Sequence, residues 1–339
     1  MSLPYRTKRR LLRLGIAILA ILLTALLIWG CWLLWLHKHV RYTKDQGAVL
    51  DLDMGPISGE GHLAEPPGSQ PTIPIYYNEG DNAINTSKEL TRIIGYYVSP
   101  EELTDLPALR AQIRALPQDV PVMLDVKTIY GAFNYSSSVS TSRNSQVDSQ
   151  EMDSLIKDLA AGGRYLIARL PGLRDKEFGL NHVDDGVFHS SRGYLYMDDQ
   201  GCYWLNPARE ATITHLTQIV NELKGMGFDE AVFCDFTFPE TDNIYFDGDK
   251  AQALSTAAQT LVTTCATESF AVSFVSSEGF QPPVGRSRLY LENAAAADAA
   301  NIAQNSGLED PTAKLVFLTD NHDTRFDAYS VLRPLATAH

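Results

Sequence analysis

The chain has 339 residues, 45% apolar and 20% charged, the make-up of an ordinary globular protein with room for one large domain or two smaller ones. Its formal net charge is −13, unevenly spread: residues 1–41 hold seven of the 28 basic residues and no acid, so the remainder carries 28 − 7 = 21 basic against 41 acidic residues, about −20. A surface of that sign repels nucleic acid and other polyanions, and leaves neutral or cationic partners such as sugars.

Taken in chain order, the first element predicted is a membrane anchor. Basic residues Arg6, Lys8, Arg9, Arg10 and Arg13 precede an uncharged apolar run at 14–36, followed by Lys38 and Arg41. A helix crosses a bilayer in about 20 residues, and a secretory signal would have a shorter apolar core and a small-residue cleavage site. Trp32 and Trp35 suit an interface, and the basic bias places the N-terminus in the cytoplasm. The expected location is therefore the cell membrane, single-pass, with everything after residue 41 outside. Residues 42–87 are rich in Gly, Pro, Asp and Glu, as in "DMGPISGEGHLAEPPGSQP", and read as a stalk without a core element.

From residue 88 to 339 apolar strands alternate with amphipathic helices. Strands are predicted at 92–99 ("RIIGYYVS"), 120–128 ("VPVMLDVKT"), 164–172 ("RYLIARLPG"), within "GFDEAVFCDFTFPE" at 227–240, and at 270–276, 287–293 and 313–321. Helical spacing separates them, for example in "REATITHLTQIVNELKGMG". That order is the signature of βαβ units, and the fold class is α/β, a TIM-like (β/α) barrel preceded by one transmembrane helix. An eighth strand is not obvious: either "YSVLR" closes the ring, or the barrel is incomplete or closed by other means.

No G-x-G-x-x-G follows the first strand, so dinucleotide binding has no support, and no cofactor is expected. Of four cysteines, Cys31 lies in the apolar run; Cys202, Cys234 and Cys265 remain, without C-x-x-C spacing, and read as buried thiols or at most one bridge. No metal site is expected. His182 and His189, in the long insertion after the third strand, read as surface residues because no ligand spacing repeats; Tyr194, Tyr196, Tyr203 and Trp204 there suit either sugar stacking or loop packing.

In such barrels chemistry sits at the C-terminal strand ends. Those ends carry Asp125 and Lys127, Arg169, Asp235, Glu278, Glu292 and Asp320–Asp323. A ring of acids with few cations resembles a glycosidase cleft, where one carboxyl protonates the leaving oxygen and another attacks or activates water. Glu278 reads equally well as a helix cap, and Lys127 and Arg169 as partners of neighbouring acids.

"VMLDVKTIYGAFNY", "RYLIARLPGLRD" and "GFDEAVFCDFTFP" together resemble the putative glycosyl hydrolase domain family, TIM barrels distantly related to α-amylases; the likeness runs from about residue 92 to 239. "FLTDNHDTRF" at 317–326 is similar to an α-amylase motif ending the seventh strand. The resemblance implies a glycoside hydrolase-like protein acting on a polysaccharide or cell-surface glycan. It puts Asp235 as nucleophile, Glu278 as acid/base with Glu292 in reserve, and Asp323 as transition-state stabiliser. Asp125, Lys127, Arg169, Glu292 and His322 would contact the sugar. The departures are specific. Thr128 stands where the family has an acid, and a gapless alignment puts Cys234 at the family's aspartate and Thr237 at its arginine. Asp235 then falls one residue late, which on a regular strand turns it to the wrong face unless a bulge absorbs the step. Without a bulge the domain would be a catalytically degenerate glycan binder or envelope scaffold.

Overall fold

The computed structural model describes Trp29 and residues 40–43, 47–50, 89–191, 193–277 and 279–337. The apolar run at 14–36, Trp29 apart, lies outside the described residues, as do Cys31, residues 51–88 and Glu278. Among the described residues no helix is long and apolar enough to cross a membrane. The chain divides into two compact units at Glu79/Gly80. In the first, β1 (Val40–Thr43) and β2 (Gly47–Leu50) pair antiparallel, Val40 opposite Leu50 and Thr43 opposite Gly47. The segment read as a stalk thus opens with a hairpin, built from the β-favouring residues of "VRYT" and "GAVL".

The second unit is the barrel. Its strands are β3 (Ile94–Tyr97), β4 (Val122–Asp125), β5 (Leu166–Pro171), β7 (Glu230–Cys234), β9 (Ala271–Val275), β10 (Leu289–Glu292), β11 (Leu315–Leu318) and β12 (Ser330–Pro334). They form a closed ring in that order, every pairing parallel. The eighth strand is "SVLRP", which pairs with β11 on one side and β3 on the other, so the ring is complete. Its first three residues, Ser330, Val331 and Leu332, are buried.

Around the ring lie α1 (Leu106–Ala115), α2 (Ser149–Ala161), α4 (Glu210–Met226) and α5 (Lys250–Cys265), with shorter helices α6 (Ala299–Asn305) and α7 (Pro311–Lys314) before β11. The helices start where the sequence offers caps: Asp105, Asp148, Asp249 and Asp310 each accept from first-turn N–H groups. Helix α4 ends at Gly227, whose φ of 96° is the left-handed turn that a glycine makes without Cβ strain, and the chain passes from there into β7. Between β5 and α4 the insertion folds into α3 (Lys176–Asn181) and β6 (Phe188–His189), which pairs antiparallel with β8 (Ile244–Tyr245) from the loop after β7.

Period-two alternation sorts each strand into an outer and an inner face. Outward residues such as Leu124, Ala168, Leu170, Phe233 and Phe317 join the helices in the main core. Inward residues Met123, Ile167, Val232, Tyr290, Val316 and Leu332 form a separate plug. Beneath it, at the N-terminal ends, the buried Glu230 carboxylate accepts from Tyr165, Ser273, Arg288 and Tyr290. A buried carboxylate with that many donors is a satisfied floor. The same inward rows run upward from Tyr165 to Arg169, from Glu230 to Cys234 and from Arg288 to Glu292, so the open end receives an arginine, a thiol and a carboxylate from the strand period alone.

Candidate active site

At the open end Arg169, on β5, reaches across the ring. Its guanidinium donates to Asp125 on β4 at 3.2 and 3.3 Å, and to Glu292 on β10 at 2.7 Å. The three side chains are part-exposed, as groups lining a mouth would be. Burial works against the arginine's charge, but Cys234, Asp125 and Glu292 more than offset it and raise its pKa. Desolvation raises the Asp125 carboxyl, with Arg169 opposing. Tyr97, at the end of β3, is raised by burial and then by the acids Asp320, Glu292 and Glu102.

The end of β7 settles which neighbour faces the mouth. Phe233 points outward, so regular alternation would send Cys234 in, Asp235 out and Phe236 in. Cys234 does face in, pushed up to about 12 by burial, with Arg169, Asp235, Asp125 and Glu292 as its charged surroundings. Phe236, however, packs in the outer aromatic cluster, with ring centroids 5.9 Å from Phe233 and 4.8 Å from Phe274. One residue has therefore been absorbed between 233 and 236. It is Asp235, whose φ of 48° is left-handed. Two backbone bonds fix the turn, Gly172 N–H to the Cys234 carbonyl at 2.7 Å and Leu173 N–H to the Asp235 carbonyl at 3.1 Å. The half-buried Asp235 carboxyl consequently lies among mouth charges. Desolvation raises its pKa; Arg174 and Arg169 pull it down, and Glu292 and Asp198 push it up. Among the described residues no hydrogen-bond donor meets it.

The other left-handed non-glycine residue among those described is Asn293, φ 58°, directly after Glu292. A left-handed L-residue costs about 1–2 kcal/mol, least for Asp and Asn, and such conformations cluster at functional sites. One is thus the carboxylate after the fourth barrel strand, and the other directly follows the carboxylate of the sixth.

The other sequence candidates lie outside the Asp125–Arg169–Glu292 network. Lys127 is fully buried, its ammonium 2.6 Å from Asp175, which also caps α3 at the Phe178 N–H and lies 3.4 Å from His215 Nε2 on α4. Lys127, and to a lesser extent the bonds from His215 and the Phe178 N–H, outweigh burial and hold the Asp175 carboxyl well below the usual range. Asp323 caps the short turn Thr324–Ala328 and is gripped by Arg325 at 2.9 and 2.7 Å, which lowers it to about 2. His322 is exposed beside it. From that loop it is Asp320 whose charge reaches Tyr97. Cys202, Cys234 and Cys265 are free buried thiols. His182 is exposed and stacks on Phe178 at 4.0 Å, and His189 lies beside Tyr194. Of the insertion's aromatics Tyr194 is exposed and Trp204 is buried, its Nε1 donating to Asp198. A cavity of about 470 Å³ lies next to α3 and α4, lined by Phe133, Asp175, Glu177, His182 and His215, and shares none of the four mouth residues Asp125, Arg169, Asp235 and Glu292. Among the described residues no group of His, Cys, Asp and Glu is arranged to hold a metal.

Sequence reading missed Tyr97, Arg174 and Asp198. Tyr97 was legible as the inward end of "IIGYY". Arg174 and Asp198 were not, because their pairing at 2.7 Å closes a loop across 24 residues.

A closed eight-stranded parallel barrel with carboxylates at the ends of its second, fourth and sixth strands is an architecture of glycoside hydrolases. The family model described as "Putative glycosyl hydrolase domain" matches residues 99–276, and the chain belongs to that family. No curated protein sequence matches it. Among solved structures, a GH36 α-galactosidase from Geobacillus stearothermophilus in complex with raffinose superposes with a TM-score of 0.51 at 13% identity, over 74% of this chain and 39% of that one. An α-galactosidase from Lactobacillus brevis gives 0.50 at 12%, over 73% and 37%. A hypothetical protein from Ruminiclostridium thermocellum gives 0.44 at 18%, over 53% and 96%. The chain thus spans about two fifths of either α-galactosidase, and at these identities the likeness is one of fold.

Proposed function

We propose that the protein is a membrane-anchored, extracytoplasmic glycoside hydrolase acting on a polysaccharide or cell-surface glycan by a two-carboxylate mechanism. The observation carrying this reading is the left-handed turn at Asp235, which returns to the mouth an acid that regular register would bury among the helices. Asp235 is the proposed nucleophile. Glu292 on the sixth strand, or Glu278 after the fifth, supplies the acid/base, and Asp323 the stabilising carboxylate of the seventh-strand loop. Asp125, Arg169 and His322 contact the sugar; Lys127, fully buried against Asp175, is not one of those contacts. Retention needs the two working carboxyls about 5–5.5 Å apart, inversion about 6.5–9.5 Å. The N-terminal apolar run supplies the anchor, argued from the sequence.

A second reading, a barrel that binds glycan without cutting it, is favoured by Cys234. A thiol raised to about 12 is neutral at physiological pH, and it occupies the position where the family has its aspartate. The two readings separate on a panel of glycans. Turnover that falls at least 10³-fold in Asp235→Asn, and likewise in Glu292→Gln or Glu278→Gln, supports the enzyme; binding with no turnover in the unmodified protein sinks it.

A further inference from the structure

The mouth is defined as the site by fold and family, and its charge speaks to what it takes. Six acids act on it: Asp125, Glu292, Asp235, Asp198, Asp320 and Glu102. Among the described residues two cations oppose them, and both are already paired. Arg169 bridges Asp125 and Glu292. Arg174 donates to Asp198 at 2.7 Å and to Gln200 at 3.0 Å, and lies over the Trp204 ring. Each guanidinium already holds a carboxylate, so neither offers an uncommitted positive charge to an anionic ligand group. Half-buried Asp235 has no hydrogen-bond donor among the described residues and feels Arg174 and Arg169 only through space, and the exposed Asp320 has no ion pair among them. In a concave, partly dehydrated site such unpaired charge focuses an attractive field for a cation.

We propose that the site prefers a cationic sugar, a glycan carrying free primary amines such as a de-N-acetylated hexosamine chain. The inference rests on the carbohydrate reading above. The substrate ammonium compensates the excess charge around Asp235 and Asp320, and gives Asp235 a hydrogen-bond donor where none of the described residues supplies one. A neutral N-acetylated chain lacks that interaction, and a uronic-acid chain meets repulsion. The preference is electrostatic and weakens with salt, most where the ligand stays hydrated.

The test is calorimetric titration of the full-length protein with three oligosaccharides of equal length: β-1,4-glucosamine, its fully N-acetylated form, and oligogalacturonate. The pH is one at which the amines are protonated, and the salt is 50 and then 500 mM NaCl. The expected result is binding of the glucosamine oligomer at least tenfold tighter than its acetylated form, a severalfold loss of that margin in high salt, and none for the uronate. Asp320→Asn, at an exposed position, is expected to cut the margin severalfold while leaving the thermal midpoint unchanged. Equal affinity for the acetylated and free-amine chains, or tighter binding of the uronate, overturns the charge preference while leaving the carbohydrate site standing. Binding of none of the three overturns both.

Discussion

At the scale of single residues, Asp235 carries two costs, a left-handed backbone and a half-buried carboxylate with raised pKa. The sign of the second follows from linkage. A carboxyl whose folded pKa lies above its unfolded value binds more protons when folded, so it lowers stability as pH rises from the unfolded value, about 3.9, through the folded one. Asp235→Asn keeps a side chain that tolerates left-handed φ and removes the charge. It is expected to be more stable than the parent at pH 7, with the difference shrinking to nothing below about pH 4. Asp235→Gly relieves the left-handed backbone, by about 1–2 kcal/mol at most, and gives back about 0.5–1 kcal/mol in chain entropy, so it is expected to be at least as stable as Asp235→Asn. Urea midpoints at pH 7 and pH 4 measure both; a destabilised Asp235→Asn at pH 7 would show that the carboxylate is held by attraction. A variant more stable and inactive is the trade expected of a strained working residue.

At the scale of elements, one buried pair ties three of them together. Lys127 follows β4, Asp175 opens α3 and His215 belongs to α4. Gly131, φ 83°, lets the intervening loop pass so close that a Cβ would meet Asp175 and Glu177. Lys127→Met leaves a buried carboxylate without its cation and is expected to cost about 3–5 kcal/mol. Lys127→Met with Asp175→Leu should recover most of that, as denaturant midpoints will report; equal loss in single and double variants would mean the pair contributes through packing alone. Seven strands were legible in the sequence as apolar runs at regular intervals. The eighth was legible only as one alternative, "YSVLR", because the strand "SVLRP" has a polar first residue and its pairing with β3 spans 237 residues, from Val331 to Ile94. The site was legible in the same proportion. Asp125, Arg169 and Glu292 follow from inward alternation, whereas the turn at Asp235 depends on Phe236 finding Phe274, a contact no local pattern announces.

At the scale of the whole molecule, charge is segregated along the chain: seven basic residues and no acid in 1–41, and about −20 over the rest from 21 basic against 41 acidic residues. An anionic membrane surface attracts a polybasic segment by about 1 kcal/mol per residue and repels an acidic body. With the anchor proposed above, the same segregation would keep the acidic portion off the leaflet. The full chain is expected in the membrane fraction, resistant to carbonate extraction, with residues beyond 41 cleaved by protease added outside the cell and the N-terminal tag protected. Deleting residues 1–41 should release the protein to the soluble fraction with its thermal midpoint unchanged, because among the described residues the barrel's plug and outer core begin at Ile93. Protection of the barrel from external protease would reverse the orientation, and carbonate release of the full chain would remove the anchor.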